Sequence, residues 1–185
     1  DAGLGWFDIM HGTCVFNAGR IEADYLSLDN NACFFEFNGG TLITRRSDLP
    51  ADILMGSSAS SSSATWIVGS DDATNTVQNL VVGYTTANNT LLITNGGTLL
   101  VSGDFIDIGE TVASTNNRVL VSDPGSLLQN NGSFSIGYDG GGNQMVISNG
   151  AVVINEFGIL GLFGAANSAV VTGAGSGWSN RMDLI

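Results

Sequence analysis

The sequence predicts an all-β chain wound into a parallel right-handed β-helix, a β-solenoid of about 6–7 rungs of roughly 25 residues each. Three observations carry that expectation. Two sequence markers recur with one period, short β-rich segments are cut by glycine turns, and no stretch shows the 3.6-residue apolar stripe of a helix. The hand follows from the general right-handedness of parallel crossover connections.

The first marker is NTLLITNGGTLL from Asn89 to Leu100. It superposes on NRVLVSDPGSLL from Asn117 to Leu128 and, one residue shorter, on NQMVISNGAVV from Asn143 to Val153. A weaker copy, NSAVVTGAGSGW, runs from Asn167 to Trp178, and the leading asparagines are 28, 26 and 24 residues apart. Each copy contains a turn, at Asn95-Gly96-Gly97, at Gly125 in Asp-Pro-Gly, and at Asn149-Gly150. Phe37-Asn38-Gly39-Gly40-Thr41-Leu42 is matched to the Asn95 turn and carries the repeat into the N-terminal half, as does Phe16-Asn17-Ala18-Gly19.

The second marker is a short apolar strand ending in glycine: Leu80-Val81-Val82-Gly83, Ile106-Asp107-Ile108-Gly109 and Phe134-Ser135-Ile136-Gly137, continued at Phe163-Gly164. These glycines are spaced 26, 28 and 27 residues apart, the same period as the asparagines. Strand alternation turns Val82, Ile108, Ile136 and Phe163 inward as a core stack and Val81, Asp107 and Ser135 outward. Trp66-Ile67-Val68-Gly69 has the same form but lies only 14 residues before Gly83. It belongs either to a truncated rung or to another face.

Between the turns lie segments rich in Val, Ile, Leu, Thr and Phe, as strands require. Asn-Gly is ordinarily a hairpin signal, yet hairpins would pair strands within a repeat and give no reason for so regular a period. In a coil the same glycines supply positive φ at the corners, and aligned asparagine side chains bond along the stack. Residues 1–50 form the N-terminal rungs, and residues 51–64, with GSSASSSS at their centre, form a Ser-rich surface loop. Residues 65–185 form the main solenoid. No capping element is expected at its C-terminus, so either the polypeptide continues or subunits stack end to end.

Composition narrows the function. The formal net charge is -12, and the five cations are all arginine: Arg20, Arg45, Arg46, Arg118 and Arg181. Such a chain repels phosphate backbones and anionic lipid, which argues against nucleic acid as a partner. No apolar run approaches the length a bilayer demands, so no membrane insertion is expected. Few charges, no lysine and abundant Ser, Thr, Asn and Gly fit an extracellular, bacterial cell-surface protein. Cys14 and Cys33 are too few for a disulfide scaffold. The repeat register sets Cys14 opposite Phe35 and the two Cα atoms about 8 Å apart, beyond bridging range, which favours two buried thiols.

Candidate chemistry is sparse. Asp107 points outward between Val81 and Ser135, so no acid pair is expected there. Glu110 and Asp139 follow the glycine turn on consecutive rungs and are the nearest approach to one. Asp71 and Asp72, with Asp104 to Glu110, offer carboxylate and turn oxygens of the kind calcium takes, although no nine-residue Gly-Asp calcium repeat is present; no cofactor is expected. His11 is the only histidine, which excludes a multi-histidine metal site. Gly137 to Gly142 is a turn and opens no helix for a nucleotide phosphate. Trp6, Trp66, Trp178, Tyr84 and Tyr138 are the residues that would stack on sugars if exposed.

The Asn89 to Gly97 pattern, the Ile-Gly strand ends and Gly175-Ser176-Gly177-Trp178-Ser179-Asn180 together resemble the degenerate β-helix repeat of autotransporter passenger domains and PEP-CTERM-associated exported bacterial proteins. The resemblance covers about residues 64 to 180. It implies a β-helix outside a bacterium, in an adhesin, stalk or matrix component, with no shared catalytic residues to carry over. The expectation is a non-enzymatic structural or adhesive solenoid that associates with itself, end to end or laterally, and meets surface glycans. The alternative is a carbohydrate-binding or polysaccharide-degrading β-helix, which outer faces bearing several acidic and aromatic side chains would favour.

Overall fold

The computed structural model describes residues 5–29, 32–58, 63–69 and 73–185, and among them every regular element is a strand. The chain makes about six complete turns of a parallel β-solenoid, flanked by partial ones. The first turns contribute β1 (Trp6–Ile9) and β2 (Gly12–Phe16), then β3 (Arg20–Leu28) and β4 (Cys33–Phe37), then β5 (Gly40–Leu49) and β6 (Ile53–Met55). Three strands per turn follow: β7 (Ala64–Gly69), β8 (Thr74–Val77) and β9 (Leu80–Val82); β10 (Thr90–Thr94), β11 (Thr98–Val101) and β12 (Phe105–Ile108). The next are β13 (Arg118–Ser122), β14 (Leu127–Asn130) and β15 (Ser133–Ile136), then β16 (Gln144–Ser148), β17 (Val152–Asn155) and β18 (Phe157–Leu160). The series closes with β19 (Ser168–Thr172) and β20 (Gly177–Asn180).

Stacking these turns produces three faces. β7, β10, β13, β16 and β19 form the first; β8, β11, β14, β17 and β20 the second; β6, β9, β12, β15 and β18 the third. β5 pairs with β7 through Gly40 to Thr44 and with β8 through Ser47 to Leu49, so one strand bends around the corner at Arg45-Arg46 and joins the first two faces. Later turns replace that bend with a tight turn. At Asn95-Gly96 both residues have positive φ, 53° and 76°, and Gly97 N–H donates to Thr94 O at 3.0 Å. That is the geometry of a two-residue hairpin turn, used here to send the chain onto another face.

The core is the stack of inward residues, built as alternation requires. Val82, Ile108 and Ile136 are fully buried in register on the third face, above Met55. On the first face Leu42, Trp66, Leu91, Val119 and Met145 superpose, all at 0% exposure. Trp66 satisfies its indole by donating Nε1–H to Thr44 Oγ1 at 2.8 Å, as a buried tryptophan must. At the N-terminal end Phe16 stacks on Phe37 with centroids 5.5 Å apart.

The structure corrects several expectations. Phe163 is not in the core: Leu160 holds the register of Ile136, Gly161 takes the place of Gly137, and Phe163 is 71% exposed, edge-on to Tyr138. The last turn is short, so a fixed glycine period overshoots it. Asn38-Gly39-Gly40 is not equivalent to Asn95-Gly96-Gly97, because Thr41 and Leu42 pair with Thr65 and Trp66 on the first face, whereas Thr98 and Leu99 belong to the second. The Trp66 segment is likewise first-face. Thr98 pairs with Leu127, not Ser126, so the Asp-Pro-Gly corner is one residue longer than Asn-Gly-Gly. Ungapped superposition past that corner exchanges inward for outward residues. Residues 51–64 contain β6, with Ile53 and Met55 in the core.

The two cysteines remain thiols. Cys14 is opposite Phe35 as expected, and Cys33 is buried with its Sγ donating to Met10 O at 3.0 Å. Cys14 is only half-buried.

Candidate functional site

Asp107 occupies the outward side of β12, between Val81 and Ser135 in register. All three outward positions are nevertheless buried, at 7, 2 and 2% exposure. Gly109, with φ of 78°, bends the chain immediately after β12 and brings Glu110 back to Asp107. An acid pair therefore exists where none was expected, within one turn of the coil. Burial first, and then the charge and hydrogen bond of the neighbouring Glu110, raise the Asp107 carboxyl to about 7, against the opposing effect of a hydrogen bond with Ser135. Glu110 Oε2 is buried with no hydrogen-bond partner. The pair ties the end of β12 to the loop that follows it.

The other predicted acids do not join it. Asp139 is exposed, and Glu110 interacts with Asp107 in its place. Asp71 and Asp72 lie outside the described residues. Among the described residues no three His, Cys, Asp or Glu side chains converge as metal ligands. Of the aromatic candidates, Trp66 is wholly internal, and Trp178 packs edge-on to Phe134 while donating to Asn155 Oδ1 at 2.6 Å. Tyr138 engages Phe163, Tyr84 is about a third open, and Trp6 is 73% exposed.

The turn residues act through a ladder inside the corner before the first face. Asn89, Asn117 and Asn143 are buried, and their backbone N–H groups donate to the Oδ1 atoms of Asn117, Asn143 and Asn167 at 2.8–2.9 Å. A second series lines the corner after that face: Asn95 N–H donates to Asp123 Oδ2, Gly96 N–H to Ser126 Oγ and Gly150 N–H to Ser176 Oγ. Asn38 lies in the same corner before the first face, between β4 and β5, where its Nδ2 donates to Asn17 Oδ1 at 2.9 Å and its Oδ1 accepts from Ser57.

Outside the coil, the first face carries Ile43, Ile67, Leu92, Leu120, Val146 and Val170 in a single register column. Rows of Thr, Ser and Gln flank it. From β7 to β19 the outward positions of this face include no carboxylate and one cation, Arg118. At about 4.8 Å per strand the column is about 24 Å long. The first sequence marker aligns Leu92, Leu120, Val146 and Val170 at its fourth position, but the apolar residues on both sides of each conceal which of them faces outward.

These features define the class: a parallel β-solenoid with an asparagine-laddered interior and one flat, nearly uncharged face. Searches against family models, curated proteins and solved structures find no match for the chain.

Proposed function

We propose that this chain is a non-enzymatic structural or adhesive β-solenoid of the bacterial cell surface that associates with copies of itself. The observation carrying the reading is the aliphatic column on the first face. In a chain of net charge -12, this carboxylate-free face is where two copies meet with least repulsion. Sheets stack face to face at about 10 Å through such ridges. Sparse charge and hydroxyl-rich outer rows support a location outside the cell.

Sedimentation velocity and negative-stain microscopy across a concentration series test the proposal. Concentration-dependent pairs or fibres are expected, and Leu120→Glu, an outward substitution that leaves the core intact, should abolish lateral association. Monodisperse monomers at every concentration would sink the self-association reading. Fibres unaffected by Leu120→Glu would assign assembly to the ends of the coil.

A further inference from the structure

The second face changes character at its N-terminal end. Register places Trp6, Tyr25 and Arg46 in one outward column and Asp8, Ser27, Asp48 and Thr76 in the next. Trp6 is 73% exposed and meets the Tyr25 ring edge-on, with centroids 5.5 Å apart. The Arg46 guanidinium lies over that ring, 5.0 Å from its centroid. Both carboxylates of the parallel column are held by neighbouring hydroxyls. Ser27 Oγ donates to Asp8 Oδ1 at 2.6 Å, and Thr76 Oγ1 donates to Asp48 Oδ1 at 3.1 Å. Alongside is an open trough of about 530 Å³ lined by Arg46, Ser47, Asp48, Ala73, Thr74 and Thr76.

We infer that this strip is a binding site for a neutral polysaccharide, with the sugar chain lying along the coil axis. An exposed indole supplies a flat apolar surface for the C–H face of a pyranose ring, at low entropic cost because the side chain has only two rotatable bonds. Fixed carboxylates accept hydrogen bonds from ring hydroxyls, and the guanidinium and the Thr74 hydroxyl donate to them. Ser27, Thr76 and the Tyr25–Arg46 contact set these groups before any ligand arrives, which reduces the ordering cost of binding. Asp8 and Asp48 repel acidic polymers, and ionised groups at this density oppose an apolar or lipid occupant. The ligand class left by these groups is uncharged and rich in hydroxyls. The strip does not overlap the aliphatic column, so this inference stands independently of self-association.

Affinity electrophoresis of the full chain through gels containing xylan, β-glucan, mannan or polygalacturonate tests the site, followed by titration calorimetry with the hexasaccharide of any retained polymer. Retardation by at least one neutral polymer and none by polygalacturonate is expected. Trp6→Ala and Asp48→Ala should each weaken binding at least tenfold with unchanged circular dichroism and melting temperature, and Trp6→Phe should recover part of it. Absence of retardation on every neutral polymer overturns the inference. So does binding that survives Trp6→Ala, or a preference for polygalacturonate.

Discussion

Gly109 lies directly beneath Asn143: a Cβ added at Gly109 would sit 2.2 Å from Asn143 Nδ2. Gly83 stands in the same relation to Asn117, and Gly137 to Asn167, at 2.2 and 1.9 Å. The two markers that recur in the sequence are thus the two halves of one contact. The glycine ending the third face clears the space in which the ladder asparagine of a following turn reaches its partner.

Gly109→Ala is therefore expected to destabilise the coil through two effects at once, the clash with Asn143 and the left-handed φ of 78°. The backbone strain alone is worth about 1–3 kcal/mol. Urea denaturation followed by circular dichroism should show a lower midpoint. A midpoint equal to wild type would mean that the ladder shifts freely to make room.

Asn117 Oδ1 accepts from both the backbone N–H and the Nδ2 of Asn89, at 2.8 and 2.9 Å. Asn117→Leu preserves bulk but leaves the buried backbone donor unpaired, at a cost of about 1–3 kcal/mol. Hydrogen exchange at the Asn89 amide should accelerate well beyond that at Leu91, whose strand pairing is untouched. Equal protection at the two sites would show that the ladder follows packing and does not hold it.

Asp107 ionises near pH 4 in an unfolded chain and at about 7 in the fold. Between those values the native state keeps a proton that the unfolded chain has released, so stability falls as pH rises from about 4 to about 7 and is level with respect to this group above that. Asp107→Asn remains neutral throughout. It should flatten this part of the stability profile and make the variant more stable than wild type at pH 8. A wild-type profile that rises over the same interval would contradict the buried, proton-holding arrangement.

Ser47 and Asn75 are register neighbours facing inward, and Ser47 Oγ and Asn75 Oδ1 are both buried without hydrogen-bond partners. Ser47→Ala removes an unsatisfied hydroxyl and should leave the melting temperature unchanged or raised. Leu49→Ala, two residues along the same strand and 1% exposed, should cost about 2–5 kcal/mol. Comparable losses from the two would show that Ser47 contributes a bond absent from this geometry.

The period, the parallel coil, the inward set Val82, Ile108 and Ile136, and the pairing of Cys14 with Phe35 were legible because strand alternation and repetition are properties of the chain itself. Phe163 was misplaced, and Asn38 was assigned to the wrong corner, because corners absorb insertions of one to several residues without disturbing the stack on either side. The Asp107–Glu110 pair was hidden for a different reason. Comparing equivalent positions across turns cannot find a partner three residues along the same turn, folded back by a left-handed glycine. The Trp6, Tyr25 and Arg46 column was hidden because β1, β3 and β5 share no sequence motif, only a register.

In-register stacking also limits how such a coil can lengthen. Duplicating the segment from β10 to β12 would set Asp107 against its own copy at about 4.8 Å, and two buried carboxylates at that distance cannot both ionise. A neutral rung carries no such penalty when copied. Like charges already in the stack are separated by a neutral neighbour, as Ser27 separates Asp8 from Asp48, and adjacent charges are opposite, as Asp24 and Arg45 are. A rung that carries a buried carboxylate therefore cannot be copied next to itself without a change at that position.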